Sequence, residues 1–495
     1  MKRLTRMRAS SEENDQAINE QLFDQHSLSD WDLAKLKNEF KNAEDFEFVT
    51  VNYRDDLVVT FIYSDVMVDL KQLNEYVLPQ AAEMNNHDAD VSFVFLHKLA
   101  FHSIETDRGL FERLLSGDLV IFIEHESEKS LLYRKMSDIA KRETEESATE
   151  ISIKGPRDGF TEELDTNISL LRKRLKTPLL KNREFLLGEK SQTTIALVYL
   201  EKTISTELIE IVIERLNSCK IDYLESSQQL EEYLGNNRLS LFPLVNYCGR
   251  ADFLAQSLRR GRFGIIIDGS PMALIAPSNL TEQIKSPEDF YHPFYFVALE
   301  RLLRLFAFIV AIFLPGFYIA LASYNVEQIP LYLLATITNS RFGIPFSGPM
   351  EAFLMIWMFE IFREAGVRLP KSVGQTIAVI GGLIVGDAAI RAGLTSPTLL
   401  VVMAVAAVAQ FTLINQSLLG SVTIFRLFVL SGASLLGMYG FFLSLFFIVV
   451  YAAGLTSFGV GYLEPIAPVS FKEWIAAILD RPKSSHVALP KMLKK

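Results

Sequence analysis

The chain has 495 residues, enough for two or three domains, and half of it is hydrophobic. The formal charge of -10 is unevenly spread: residues 1–293 carry 35 Lys+Arg against 50 Asp+Glu, and residues 294–495 carry 14 against 9. The acidic part excludes a nucleic-acid partner, because phosphate binding needs a basic face. Two cysteines, Cys219 and Cys248, exclude a disulfide framework and fit a reducing compartment.

Residues 1–45 read as a polar tail leading into a helix at Trp31-Asp-Leu-Ala-Lys-Leu36. The basic start, Met1 to Arg8, has no apolar run behind it, so a signal peptide is not expected and the N-terminal part is expected in the cytoplasm. From residue 46 to 290, strand and helix patterns alternate, which predicts α/β or α+β layers. An internal repeat divides this region. Val58-Val-Thr-Phe-Ile-Tyr63 followed by an amphipathic helix recurs as Thr194-Ile-Ala-Leu-Val-Tyr199, 136 residues later. Leu114-Leu-Ser-Gly117 leading to a strand recurs as Leu258-Arg-Arg-Gly261, 144 residues later. The expectation is two related subdomains, 46–150 and 151–290. Asp268-Gly269 between apolar runs predicts a tight hairpin.

Composition changes near His292. Between Lys371 and Lys472 the only charged residues are Asp387, Arg391, Arg426 and Glu464. About 20 apolar residues cross a bilayer core, so residues 291–460 predict a polytopic helical membrane domain of about five spans. These are placed near 302–322, 344–362, 373–393, 397–416 and 422–454, and residues 461–495 form a tail. Ile329–Thr338 is too short to cross and is expected at an interface. The 422–454 block admits one long helix, or a span plus a re-entrant piece near Gly437 and Gly440. Arg363, Arg368 and Lys371 mark a cytoplasmic loop. Five spans put the C-terminus outside, against the preference of Lys483, Lys491, Lys494 and Lys495 for the inside.

No P-loop, nucleophile elbow or zinc-protease motif is present, so neither enzyme nor cofactor nor metal is expected. Ionisable residues at bilayer depth are costly and usually face a bundle interior or an aqueous path. In the third span, Thr376, Ile380, Leu383, Asp387 and Arg391 share one face. That face is polar at both ends and apolar between, as a dewetting gate requires. The competing reading is an Asp387–Arg391 pair that satisfies itself. Glu351 and Glu360 are the acidic candidates of the second span, and Gln410, Asn415 and Gln416 are weaker polar candidates. Glu288, Asp289, Glu300, Arg301 and Arg304 crowd the entry to the first span with no flexible linker, which suggests a coupling point.

Several motifs occur in order: Lys154-Gly-Pro-Arg-Asp-Gly-Phe160, Asp165-Thr-Asn-Ile-Ser-Leu-Leu-Arg-Lys-Arg174, Ser240-Leu-Phe-Pro243, Ser286-Pro-Glu-Asp-Phe-Tyr291, Arg363-Glu-Ala-Gly-Val-Arg-Leu-Pro370, Gly374-Gln-Thr-Ile377 and Ser457-Phe-Gly459. From about Gly117 to Pro468 the chain thus resembles the A subunits of GerA-type spore germinant receptors. It departs from them at Pro345-Phe-Ser-Gly348, at Asp387, where the family usually has Gln, and at Gln410-Phe-Thr-Leu-Ile414. The resemblance implies a spore inner-membrane protein that oligomerises into a nutrient-gated ion channel. Implied partners are a transporter-like, nutrient-binding B subunit and a lipoprotein C subunit. Alternatives are the related subunit of the dipicolinate-release machinery, or a secondary transporter with a regulatory domain.

Overall fold

The computed structural model describes residues 32–54, 57–83, 95, 99–104, 106–125, 128–138, 152–235, 240–368 and 386–467. Strands β1 (Phe46–Arg54), β2 (Leu57–Ser64), β3 (His102–Ser103), β4 (Leu119–His125) and β5 (Glu128–Arg134) form a sheet of order β1-β2-β4-β5-β3. Strands β6 (Leu180–Leu187), β7 (Thr193–Leu200), β8 (Asn246–Cys248), β9 (Phe263–Ile267) and β10 (Ala273–Ala276) form a second sheet of order β6-β7-β9-β10-β8. All strand pairs are antiparallel. The repeated segments occupy equivalent places: β2 and β7 stand second in their sheets, and β4 and β9 third. Gly117 and Gly261 precede β4 and β9 with φ of +80° and +83°. That left-handed conformation ends the preceding helix and suits glycine.

Helices cover both faces of each sheet. The first sheet lies between α1 (Leu33–Glu39) with α3 (Asp107–Leu114) on one side and α2 on the other; α2 runs through Leu70–Gln72, a π-helical turn Leu73–Val77 and Leu78–Glu83. The second lies between α4 (Leu164–Arg174) with α7 (Ala251–Arg259), and α5 (Thr206–Ser218) with α6 (Ser227–Leu234). The α5 sequence explains its placement: Leu208, Val212 and Leu216 recur every four residues and are buried together. Each contributes about 1.5–3 kcal/mol of burial.

The two subdomains meet at a buried ion pair. Arg172 donates to both oxygens of Asp45 at 2.7 and 2.6 Å, and both side chains are about 1% exposed. Next to it, the Oδ1 atom of Asp65 is buried and accepts no hydrogen bond. Burial, and then the charges of Asp45, Asp165 and Glu47, push the Asp65 carboxyl up to about 7. The native state therefore holds a proton that the unfolded chain, with a carboxyl near pH 4, has already lost. Stability should fall as pH rises from about 4 to about 7, and Asp65→Asn should remove that loss. Because the side chain is partly solvated, we expect the variant to gain ~1–2 kcal/mol over the parent at pH 8 and about a third of that at pH 5. Thermal unfolding at the two pH values measures this; an equal effect at both would mean that Asp65 does not titrate there.

The C-terminal half is a helical bundle of α9 (Phe294–Ser323), α10 (Leu331–Ser340), α11 (Gly348–Arg368), α12 (Gly386–Arg391), α13 (Pro397–Phe411) and α14 (Gln416–Gly454); α8 (Leu280–Gln283) precedes it. Of the described helices, α9 and α14 are long and apolar enough to cross a membrane, with mean hydropathies of 2.5 and 2.2. The segment 369–385, which holds Thr376, Ile380 and Leu383, lies outside the described residues.

The α14 segment is a hairpin rather than one rod. Phe425 and Tyr451 would be about 39 Å apart along a straight helix, yet their rings lie 6.2 Å apart. The reversal is at Gly437, with φ +59° and ψ -136°, a region essentially reserved for glycine. Close packing of the two arms needs a second glycine: a Cβ on Gly440 would lie 2.0 Å from the Gly432 carbonyl oxygen. The arms begin and end beside the second sheet. Ser421 donates to the Leu241 carbonyl at 2.5 Å, and Tyr451 accepts from the Leu241 amide at 2.8 Å. The hairpin tip meets the far end of α9, where the Met438 amide donates to Asn325 at 3.3 Å.

Candidate coupling site at the junction of domain and bundle

The chain enters α9 from a 3-10 turn, Pro287–Tyr291, capped by Ser286, whose Oγ accepts from the Glu288 amide at 3.2 Å. The turn sends its two adjacent carboxylates in opposite directions. Glu288 faces the soluble part: it accepts from Arg250 at 2.6 Å, from the Lys154 amide at 3.0 Å and from Ser152 at 3.2 Å. Arg250 spends its remaining nitrogens on Asp252 at 3.0 and 2.7 Å, and Tyr291 donates to Asp252 at 2.9 Å. Burial alone would raise the Glu288 carboxyl, but Arg250, the Lys154 amide and Ser152 hold it below its usual value. Burial and the Asp252 carboxylate push the Tyr291 hydroxyl up to about 12. The Lys154-Gly-Pro motif has a steric role here: a Cβ on Gly155 would lie 2.2 Å from an Arg250 nitrogen.

Asp289 faces the bundle. It accepts from Arg301 at 2.7 Å and from Arg304 at 2.8 Å, one turn apart on α9, and Arg304 also bonds Glu300 at 3.2 Å and the Ile284 carbonyl at 3.3 Å. Asp289 and Arg301 are 3% and 5% exposed. All five residues that sequence reasoning placed at the junction are therefore joined in it.

A second tie lay beyond sequence reasoning. Glu282 on α8 is buried among Arg262 at 3.3 Å, Arg260 at 3.9 Å and Lys285. Burial would raise the Glu282 carboxyl; Arg262, Lys285 and Arg260 outweigh it and hold it well below the carboxylate range. The neighbouring Gln283 donates to the Pro243 carbonyl and accepts from Tyr462 at 2.9 Å. Tyr462 belongs to a short hairpin after α14, built of β11 (Thr456–Ser457) and β12 (Val460–Gly461). That hairpin docks on the second subdomain. Ser457 accepts from the Ser278 amide at 3.2 Å and donates to the Leu244 carbonyl at 2.7 Å, and Phe458 meets Phe263 edge to face at 5.1 Å. The last bundle strand thus returns to the same surface that the first bundle helix leaves. The one available signal was the Ser457-Phe-Gly459 motif, which carries no chemistry by itself.

The sequence profile of the Bacillus/Clostridium GerA spore germination proteins matches residues 34–492. The chain belongs to the GerA spore germination family. Curated relatives agree. Spore germination protein XA of Bacillus anthracis is 40% identical over 468 residues, covering 92% of this chain and 94% of its own. GerLA of Bacillus cereus is 36% identical over 77% of each chain, and B1 of Bacillus subtilis is 34% identical over 88% and 90%. A solved N-terminal domain of the A subunit of the Bacillus megaterium spore germinant receptor GerK3 covers half of this chain and 92% of its own at 22% identity, with a TM-score of 0.37.

In this GerA-family chain the remaining acidic candidates are both partnered inside the bundle. Glu351 is fully buried at the far end, 3.2 Å from Arg341 and accepting from the Ser396 amide at 3.0 Å. Its Arg341 contact is ionic, because the oxygen concerned is out of line for a hydrogen bond. Glu360, nearer the soluble part, pairs with Arg426 on α14 and lies 2.6 Å from Arg363. Thr423 donates to Glu360 at 3.2 Å and accepts from Gln410 on α13 at 2.9 Å, so three helices share one polar cluster. Glu351 is thus tied to the end of α10 and the start of α13. Asp387 and Arg391 pair at 2.8 Å on α12 and stay 57% and 78% exposed.

Proposed function

We propose that this chain is the A subunit of a spore germinant receptor in the spore inner membrane, oligomerising into a nutrient-gated ion channel alongside B and C subunits. The observation that carries the reading is the turn at Glu288 and Asp289. It fixes a two-subdomain cytoplasmic part to the first bundle helix without a linker, so a rearrangement on one side acts on the other. Exposed apolar side chains such as Phe306, Trp357, Val405 and Phe446 on the bundle suit a lipid surround. On this reading α9 leads outward, α11 returns, α13 runs inward, and the two arms of α14 lead out and back. Arms that lead out and back bring the end of α14 to the cytoplasmic side, the side that the lysines after it prefer. In an assembled ring, the exposed Asp387–Arg391 pair would face neighbouring subunits or water, beside the pore face that also takes in Thr376, Ile380 and Leu383. The test is reconstitution of the chain with B- and C-type partners in vesicles. Addition of nutrient should release a cation-sensitive dye signal; vesicles that bind nutrient yet pass no ions would refute the channel reading.

A further inference from the structure

At the end of the bundle away from the soluble part, buried oxygens without protein partners gather around one carboxylate. Glu351, on the first turn of α11, accepts from the Ser396 amide through Oε2. Thr395 and Ser396, at the entry to α13, are 1% and 0% exposed, and among the described residues neither hydroxyl has a hydrogen-bond partner. Ser396 is the N-cap residue of α13, yet its side chain does not cap the helix. The Oγ atom of Ser323, the last residue of α9, is also buried and unpartnered. It stands where a side chain at position 348 would go: a Cβ on Gly348 would lie 2.6 Å from Ser323 Oγ and 3.2 Å from Arg341 Nη1. Gly348 belongs to the segment Pro345-Phe-Ser-Gly348, at which the chain departs from the GerA-type pattern.

A buried hydroxyl left without a partner is costly, and oxygens of this kind are what replaces the hydration shell of an alkali cation in proteins. An anion would meet the Glu351 charge, and a divalent ion asks for more carboxylates than one. The position is held by a tethered cation: Glu351 Oε1 lies 3.2 Å from Arg341 and accepts no hydrogen bond. Arg341 follows the last residue of α10, and its side chain is 27% exposed, so the guanidinium has a way out to water. One buried carboxylate balances one cation, and two would leave an uncompensated charge. We propose that Glu351, Ser323, Thr395 and Ser396 bind a dehydrated sodium or potassium ion in exchange for Arg341. The packing of α9, α10, α11 and α13 at this end would then depend on the alkali ion in the medium.

The experiment is thermal unfolding of the full chain in detergent, in sodium, potassium or choline chloride at equal ionic strength. Sodium, potassium or both should raise the midpoint by about 2–4 °C over choline, and the more effective ion is the ligand. Thr395→Val combined with Ser396→Ala keeps the Arg341–Glu351 pair and should lose the response. Arg341→Met, prepared in the presence of the ion, should tighten the apparent affinity about tenfold, the gain expected where Arg341 holds the carboxylate nine-tenths of the time. Gly348→Ala, which turns the Ser323 hydroxyl away, should weaken the response and serves as the test if the double variant fails to fold. Equal midpoints in all three salts, a response that survives in the folded double variant or in Gly348→Ala undiminished, or an affinity unmoved by Arg341→Met would each overturn the proposal. Binding is read without ion flux, so failure here leaves the channel reading standing.

Discussion

Asp289→Ala should cost the protein about 3–5 kcal/mol and disconnect the soluble part from α9. The cost follows from what remains: Arg301 and Arg304 keep their charges at a buried site with their shared carboxylate gone, and orphaning one side of a buried pair costs that much. Two comparisons separate this from general damage. Arg301→Leu added to Asp289→Ala should recover part of the stability, because removing both partners costs less than removing one. Arg304→Ala alone should cost less than Arg301→Ala, since the Arg304 side chain is 13% exposed against 6% and water compensates it better. Thermal unfolding of the full chain in detergent gives the order of the costs. Germination of spores carrying the same variants at equal protein level gives the coupling. A stable Asp289→Ala protein with an undiminished nutrient response would remove the junction from the mechanism.

The parts of this architecture that are local in sequence were legible in it. The Val58–Tyr63 and Thr194–Tyr199 repeat marked equivalent strands, because strand alternation and a following amphipathic helix need only about 25 residues to declare themselves. The glycine caps at Gly117 and Gly261 were readable for the same reason. The junction charges were legible because they flank the composition change near His292 on both sides. What escaped was set by distant partners. Arg250 and Glu288 are 38 residues apart, and nothing in either neighbourhood announces the other. Glu282 looks like an ordinary surface residue of a four-residue helix until Arg260 and Arg262 close over it. The reversal at Gly437 was hard to fix because the sequence on either side of it is apolar. A single glycine between them reads equally well as a packing contact within one helix.

Glu360 offers the second large effect, and its asymmetry is the informative part. Glu360→Ala should destabilise the bundle strongly, because Arg426 has a side chain only 4% exposed and Glu360 is the carboxylate that it meets. In a bilayer an uncompensated arginine costs at least about 2.5–3.5 kcal/mol. The reverse change, Arg426→Leu, should be mild. Glu360 keeps Arg363 at 2.6 Å and the Thr423 hydroxyl at 3.2 Å, and the leucine fills apolar space among α11, α13 and α14. Glu360→Gln should fall between, since it keeps an acceptor for Thr423 and Arg426 but loses the charge. The measurement is unfolding in detergent together with the amount of chain recovered from membranes. Equal losses for Glu360→Ala and Arg426→Leu would mean that the pair acts only as a symmetric contact, and the burial of Arg426 would then need another account. The expected order, with alanine worst and leucine least, assigns this cluster the role of satisfying one buried cation. The cation in turn fixes how α14 sits against α11 and α13, at the end of the bundle nearest the soluble part.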